Sequence, residues 1–574
     1  MLRIAFVAIL VSTAGYLAAQ PIGFVDTVGT TYTSRQHSGE VGRMIALDAL
    51  GAVHVAWMNA LDDHVPPTAR HVYYNWRSPQ EEWIMPGGSP VDACSRAGYA
   101  SLAVQPEGRG VVAYHGTCAG GEVRAHVCVD YLPGAGVFEC FEFPQQPYMM
   151  IEPHVACGIH GRMHAVFTDM TMEADSFGIW YSSATHDTVT GNFEGTPALR
   201  VGAQLLTSHN VTCSRHSHRV AIAWSALRPD YEGVYHQYNN DIFLMISEDG
   251  GETWSSVTNV TSFYPPDLNL LPDTLRADQD TLRSFNDCAL LFDENDYLHI
   301  AFTTIGYWAI EGATSVTAGM IWHWSEETGV FSPLADGWEE IDEMLPSSLD
   351  HLVQKPSLGI DTLSGFLYCT YMRTNPEDIS PSGYACADIW AAVSTNGGMA
   401  WAEGTNLTRT VGDGSVSAHE CDASLAEIVD GRLHIFYETD LGGSPSLNPM
   451  IYQEIEVADI PATPTIPWRP LHVDYSHAPA AFSAAPVGFR LLPSYPNPFN
   501  SVTVIPFELE TPTKVSLVIY DILGREITSL IRDAKLSQGI HRVSWSAPSQ
   551  ASGVFFAHLK ANGKQAVQRL VVVR

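Results

Sequence analysis

Seven copies of a strand–turn–strand pattern, no convincing amphipathic helix and a break in composition after residue 456 predict an all-β chain. The expected architecture is a β-propeller of seven blades followed by a small C-terminal β-sandwich. The copies end at Trp57, Tyr114, Phe167, Trp224, Phe302, Thr370 and Tyr437, so their spacings are 57, 53, 57, 78, 68 and 67. Most are followed by an aromatic strand, such as VYYN (72–75), IWYS (179–182), IWHW (321–324) and MIYQ (450–453). Four short strands per unit repeated radially protect sheet edges, which is how a propeller is built. Six blades result instead if the copy near the irregular stretch 264–280 belongs to an insertion. A strand around Phe24 to Tyr32 is expected to close the ring on the last blade.

Taken from the start, residues 1–19 place Arg3 before an apolar run and end in Ala18 and Ala19, which reads as a cleaved secretory signal. The run is shorter than the roughly 20 apolar residues of a spanning helix, so no transmembrane segment is expected after its removal. Residues 20–456 are the propeller, 457–486 a Pro/Ala-rich linker and 487–574 the second domain. Thirty basic against 63 acidic residues give the 574-residue chain a net charge of −33, which excludes a non-specific grip on nucleic acid. The last 88 residues carry +5 and everything before them −38, so charge marks the same boundary.

All ten cysteines precede residue 422, and export permits disulfides. Cys369 with Cys386, and Cys128 with Cys140, flank hairpin loops, so these two pairs are the geometrically cheap ones to bridge, and the cysteines are expected to be structural, paired or buried. No CxxC occurs, so neither zinc nor a redox dithiol is indicated. His54, His164, His299 and His434 recur at one place in four second strands, which points to a bond with each blade's own turn rather than a shared metal. No cofactor or metal is expected. Structural calcium has one candidate place, FDENDY (292–297), where an acidic hairpin turn accounts for the same residues.

Residues 241–261 and 388–408 are identical at nine of 21 positions, and both contain S-x-[DN]-x-G-x-x-W. Ser247, Asp249, Gly251 and Trp254, with Ser394, Asn396, Gly398 and Trp401, resemble the Asp-box of sialidase-like (BNR) propellers. The motif suits a turn, because Asp or Asn can bind turn amides, Gly supplies positive φ and Trp packs beneath. The resemblance implies a propeller and invites a glycosidase reading with three arginines, a Tyr-Glu pair and an aspartic acid. The arginine signature expected near the first blade is missing: Arg35 and Arg43 stand in SRQHSGEVGRM, and Arg228 and Arg373 sit in loops.

Ligand positions are expected where first strands begin, at Tyr99, His154, Asn210, Asp287, Lys355 and Asp422. Others are expected in the long loops, at Asp230, Tyr231, Tyr235, His236, Trp308, Glu311, Glu377 and Asp378. Aromatic platforms beside carboxylates suit a sugar or a peptide. No G-x-S-x-G, phosphate loop or HExxH accompanies them.

The tail reads as alternating short strands carrying YPNPFN, IYDILGRE, GIHRVSW and SGVFF. Pro496, Asn497, Pro498, Phe499, Asn500, Gly524, Arg525, Gly539, Trp545 and Gly553 resemble the type A C-terminal sorting domain of type IX secretion. That resemblance implies a partner, the type IX translocon, and a passenger secreted or displayed at the outer surface once the tail is cut off. The sequence therefore predicts a secreted or surface propeller that binds an extracellular glycan or protein. A sialidase-like glycoside hydrolase and a non-catalytic adhesive scaffold are the alternatives.

Overall fold

The computed structural model describes residues 20–572 apart from 65–66, 119–120, 148, 174–175, 205–206, 228–239, 264–281, 307–317, 339–344, 348–349, 411–417, 443–445, 468–470, 472–488, 492–493, 495–498, 500–501, 510, 522–524, 548–552 and 562–563. The chain divides into two compact units, Met1–Pro479 and Ala480–Arg574.

The first unit is a seven-bladed propeller. Blade 1 is built from Ile45–Leu47, Val53–Ala60, Arg70–Arg77 and Ser89–Pro90, and blade 2 from Arg96–Val104, Gly110–Thr117, Val123–Asp130 and Phe138–Glu142. In blade 3, Met150–Cys157, Met163–Glu173 and Ser176–His186 are followed by Phe193–Gly195 and Leu199–Gln204, which share one edge. Blade 4 comprises His209–Cys213, Val220–Leu227, Asn240–Ser247 and Thr258–Asn259; blade 5, Ala289–Phe292, Leu298–Gly306, Gly319–Ser325 and Phe331–Gly337. Blade 6 runs through Val353–Asp361, Leu367–Ile379, Ala385–Ser394 and Thr405–Asn406. A short strand, Leu282–Ser284, pairs with both Asn240 and Leu298–Gly306 and so joins blades 4 and 5 into one sheet.

Blade 7 takes three strands from His419–Leu425, Arg432–Asp440 and Asn448–Glu456, and its fourth, Phe24–Thr31, from the other end of the propeller's sequence. The pairing is antiparallel, from Phe24 opposite Glu454 to Thr31 opposite Asn448. Val28 goes into the core with Trp57, Phe436 and Tyr452, so closure buries side chains as well as an open edge.

The repeated histidines belong to these sheets. The Nδ1 of His54, His164 and His434 lies 2.7, 2.8 and 2.6 Å from the hydroxyls of Tyr74, Tyr181 and Tyr452, and that of His299 lies 2.9 Å from His323 Nε2. The opposite nitrogen of His54, His299 and His434 faces the turn acids Asp48, Asp293 and Asp430. Each ring thus ties its strand to a neighbouring strand, and in three blades also to its own turn. Asp293, in FDENDY, is occupied with that turn: its Oδ1 accepts from the amides of Asn295 and Tyr297 at 2.9 and 2.8 Å.

The two S-x-[DN]-x-G-x-x-W segments turn the third strand into the fourth. Ser247 Oγ accepts from the Gly251 amide at 2.8 Å, and Asp249 Oδ1 accepts from the Thr253 amide at 2.8 Å. Ser394 and Asn396 repeat this with Gly398 and Ala400 at 2.9 and 3.0 Å. Trp254 packs on Tyr181 and Trp401 on His323, in both cases a residue of the preceding blade. Gly398 is held at φ +80° and a Cβ there would strike the His323 ring. Each motif is therefore a clasp between blades. A second tie lies within each of these blades: Asp241 accepts from Asn259 and Thr261 at 2.8 and 2.9 Å, and Asp388 from Asn406 and Thr408 at the same distances.

Two expectations are corrected. Cys128 and Cys140 form a disulfide, but Cys369 and Cys386 are buried without bridging to each other. The register sets Cys369 opposite Ala392 and Cys386 opposite Asn375, at separate points of the ladder. The other bridge is Cys94–Cys118, which sequence spacing did not suggest. The linker also starts later than 457: Ile460 and Leu471 are buried in the propeller core, and Thr465 pairs with Ala402.

The second unit is a sandwich. Phe489–Leu491, Val502–Leu509 and Gly539–Ser546 form one sheet; Glu526–Leu536, Thr513–Asp521, Gly553–Ala561 and Lys564–Val572 form the other. Trp545 is buried between Phe499 and Phe555 at ring distances of 5.4 and 5.3 Å. Arg525 is exposed, while Pro496, Asn497, Pro498, Asn500 and Gly524 lie outside the described residues.

Candidate functional site

The seven inner strands surround a channel of about 140 Å³, lined among others by Leu47, Leu102, Ala156, Val211, Leu290 and Ser357 from six blades and by Ile428 beside the seventh. The sequence placed ligand positions where these strands begin, and four of those starts share one distortion. Tyr99, Glu152, Lys355 and Asp422 have φ of 58, 47, 57 and 52°, each inside an irregularity of the first ladder of its blade. A left-handed non-glycine residue costs on the order of 1–3 kcal/mol, so four equivalent cases need compensation.

Compensation comes from the chain between the closing strand and blade 1. Residues 35–44 run across the inner-strand starts. The amides of Gln36 and His37 donate to Asp422 Oδ2 at 2.5 and 3.1 Å, while Lys355 Nζ bonds Asp422 Oδ1. Gln36 Nε2 donates to Glu438 at 2.8 Å, whose other oxygen accepts from Asn448 at 2.9 Å. Asp287 accepts from the Lys355 amide at 2.9 Å and from Thr303 twice at 2.7 Å. His37 and His154 lie edge to face at 6.0 Å, and His154 Nδ1 is 3.8 Å from Glu40. At Gly42 a side chain would meet both imidazoles, so only glycine passes there.

Four of the sequence-derived positions belong to this internal network. His154, Asp287, Lys355 and Asp422 are buried. Asn210 donates to the Cys288 carbonyl at 3.0 Å, and Tyr99 stacks on His115 under the Arg70 guanidinium. Glu377 is exposed and Asp378 buried, while Asp230, Tyr231, Tyr235, His236, Trp308, Glu311 and Arg228 fall outside the described residues. Of the remaining arginines, Arg35 bonds Asp350, Arg43 the carbonyls of Leu425 and Leu358, and Arg373 the carbonyl of Asp336.

Burial sets the protonation of this network. It pushes Glu438 up to about 8 and Glu40 well above the carboxylate range. Asp422 is pushed up by burial too, but Lys355 and His37 outweigh that and hold it at about 2. Burial lowers His37 and His209 to about 4 and, with Arg70 and Arg96, His115 to about 3. The signs oppose one another. Depressed histidines contribute stability that is present above pH 6.5 and lost as pH falls toward 4; the raised Glu438 contributes stability that is full below pH 4.5 and lost as pH rises through 8. Thermal stability is expected to peak near pH 6.5, and each group's limb to slope by up to about 1.4 kcal/mol per pH unit. Melting scans from pH 4.5 to 8.5 check this: Glu438→Gln should make the alkaline limb shallower, the remainder coming from Glu40, and a wild-type profile already flat above 6.5 would refute the assignment.

Beside this network a pocket of about 470 Å³ opens among blades 6, 7 and 1. Tyr32 and Arg35 come from the segment after the closing strand, and His64 from the loop after Val53–Ala60. Tyr384 comes from the second loop of blade 6, while His419, Asp440 and Asn448 come from blade 7. Arg35 Nη2 bonds Asp350 Oδ2 at 2.6 Å while its side chain stays 31% exposed. His419 Nδ1 accepts from the Ala387 amide at 3.0 Å and its ring meets Tyr384 edge-on at 6.4 Å. Burial lowers the His419 pKa, leaving a neutral imidazole. Arg35 was visible in the sequence but set aside; Tyr384, His419 and Asp440 were missed, although His419 and Glu420 open the inner strand just before Asp422.

No curated protein matches this chain in sequence. Residues 494–573 match the family described as the secretion system C-terminal sorting domain. The tail is a type IX sorting domain. The sorting domain directs the protein to the cell surface or the extracellular space. Among the described residues no helix is long and apolar enough to cross a membrane. In solved structures the chain is similar to a family PL25 ulvan lyase bound to -[GlcA(1-4)Rha3S]-, at 10% identity and a TM-score of 0.43 over 75% of this chain and 99% of that one. It is also similar to the polysaccharide lyase Uly1, at 11% and 0.40 over 78% and 94%. A third likeness is to the NanB sialidase of Streptococcus pneumoniae, at 10% and 0.34 over 77% and 72%.

Proposed function

We propose that the propeller, once delivered outside the cell, binds a carbohydrate in the Arg35 pocket. The observation that carries this reading is the pocket itself: about 470 Å³ is the size of a small-ligand site, and two tyrosines and two imidazoles surround one guanidinium that is only partly covered. Ring faces pack on sugar C–H surfaces, while Arg35 offers donors to hydroxyls or an acidic substituent and Asp440 an acceptor. Binding is favoured over two-carboxylate hydrolysis because Asp440 is the one carboxylate among the described residues lining the pocket.

The test combines a glycan array with fluorogenic glycosides, both on the full chain. Saturable binding without turnover is expected, and Tyr384→Ala and Arg35→Ala should each weaken it by about 10-fold or more, equivalent to at least ~1.4 kcal/mol. Turnover lost in Asp440→Asn would replace binding by hydrolysis. Silence in both assays would leave the propeller as a scaffold.

A further inference from the structure

At one end of its four-stranded sheet the sorting domain has a shallow, open groove of about 610 Å³. Three neighbouring strands, Glu526–Leu536, Thr513–Asp521 and Gly553–Ala561, each supply one exposed lysine to it: Lys535, Lys514 and Lys560. The register sets Lys514 directly opposite Lys535, and Lys560 opposite Ser516. Like charges facing each other across a ladder destabilise it. Asp533 is the one carboxylate among the described residues lining the groove, and it bonds Lys514 at 3.2 Å. A sheet shaped only for its own stability would alternate signs here. The domain's +5, against −38 for all that precedes it, repeats the bias on a larger scale.

We propose that this lysine groove is the surface by which the sorting domain is recognised, and that its occupant is an acidic peptide segment of the export machinery. Spacing favours a peptide over a single phosphate. Adjacent strands lie roughly 4.8 Å apart, so three lysines on three strands spread their charge over about 10 Å. Carboxylates on alternate residues of an extended peptide repeat at about 6.7 Å and can meet more than one of them. Ammonium groups impose no planar geometry, which suits mobile carboxylates; a built phosphate site would draw on the bidentate fork of arginine.

The experiment expresses the full chain in a bacterium with type IX secretion and follows the propeller in periplasmic and external fractions. With Lys514→Gln, Lys535→Gln and Lys560→Gln combined, the external fraction should fall at least tenfold, and Lys→Arg at the same three positions should restore it. Removing opposed charges should leave the tail's melting unchanged or raise it. Normal export of the Gln variant, equal failure of the Gln and Arg variants, or loss of the tail's folding in the Gln variant would each overturn the proposal. So would capture of the full chain by vesicles carrying phosphorylated glycolipid but not by a polyglutamate peptide.

Discussion

Asp422→Ala is expected to destabilise the propeller by about 3–5 kcal/mol, the usual cost of stranding a buried charge. Asp422 is fully buried, and its two oxygens accept from Lys355 and from the amides of Gln36 and His37. Without it the Lys355 ammonium loses its counter-charge and the segment 35–44 loses two of its backbone bonds to blade 7. A double variant separates the two losses. Lys355→Met with Asp422→Leu removes both charges, and replacing a buried pair by apolar residues is commonly near neutral, so most of the loss attributable to charge should return. Urea unfolding followed by tryptophan fluorescence gives both numbers. A single-variant loss under about 1 kcal/mol would show that water reaches Lys355 and that the network is not sealed.

The second large effect is expected at ring closure. Deleting residues 20–33 removes the fourth strand of blade 7 and exposes the edge of Asn448–Glu456, with Met450 and Tyr452 in the core beneath it. Such an edge pairs with other chains, so the variant should elute as oligomers in size-exclusion chromatography and lose its sharp melting transition. Val28→Asp is the milder version. It places an unpaired carboxylate beside Trp57 and Tyr452 and should cost roughly 3 kcal/mol or more. A monomeric deletion variant with an unchanged transition would mean that the ring holds without its closing strand.

The blades were legible because the sheets are nearly solid with buried residues on a repeating period, and because two turns carried a side-chain signature. The ring-closing strand followed from topology alone. The site was far less legible. Reading first-strand starts as an open face assumed regular ladders, whereas at four blades the ladder is irregular around a left-handed residue, and periodicity gives no sign of such a shift. Nor does local sequence reveal that SRQHSGEVGRM crosses those starts: its amide donors become informative only once Asp422, in a distant blade, stands opposite. Tyr384, His419 and Asp440 meet Arg35 through the same long-range closure.

Pairing Phe24–Thr31 with Asn448–Glu456 also fixes a timetable. The early strand must wait until nearly all of the propeller has been synthesised before its partner exists, and contacts so distant in sequence form slowly. The sorting domain begins shortly after that partner strand, with its family match starting at residue 494. A chain truncated anywhere before blade 7 can neither close its ring nor present a tail. Completion of the fold and eligibility for export thus fall at almost the same point of synthesis.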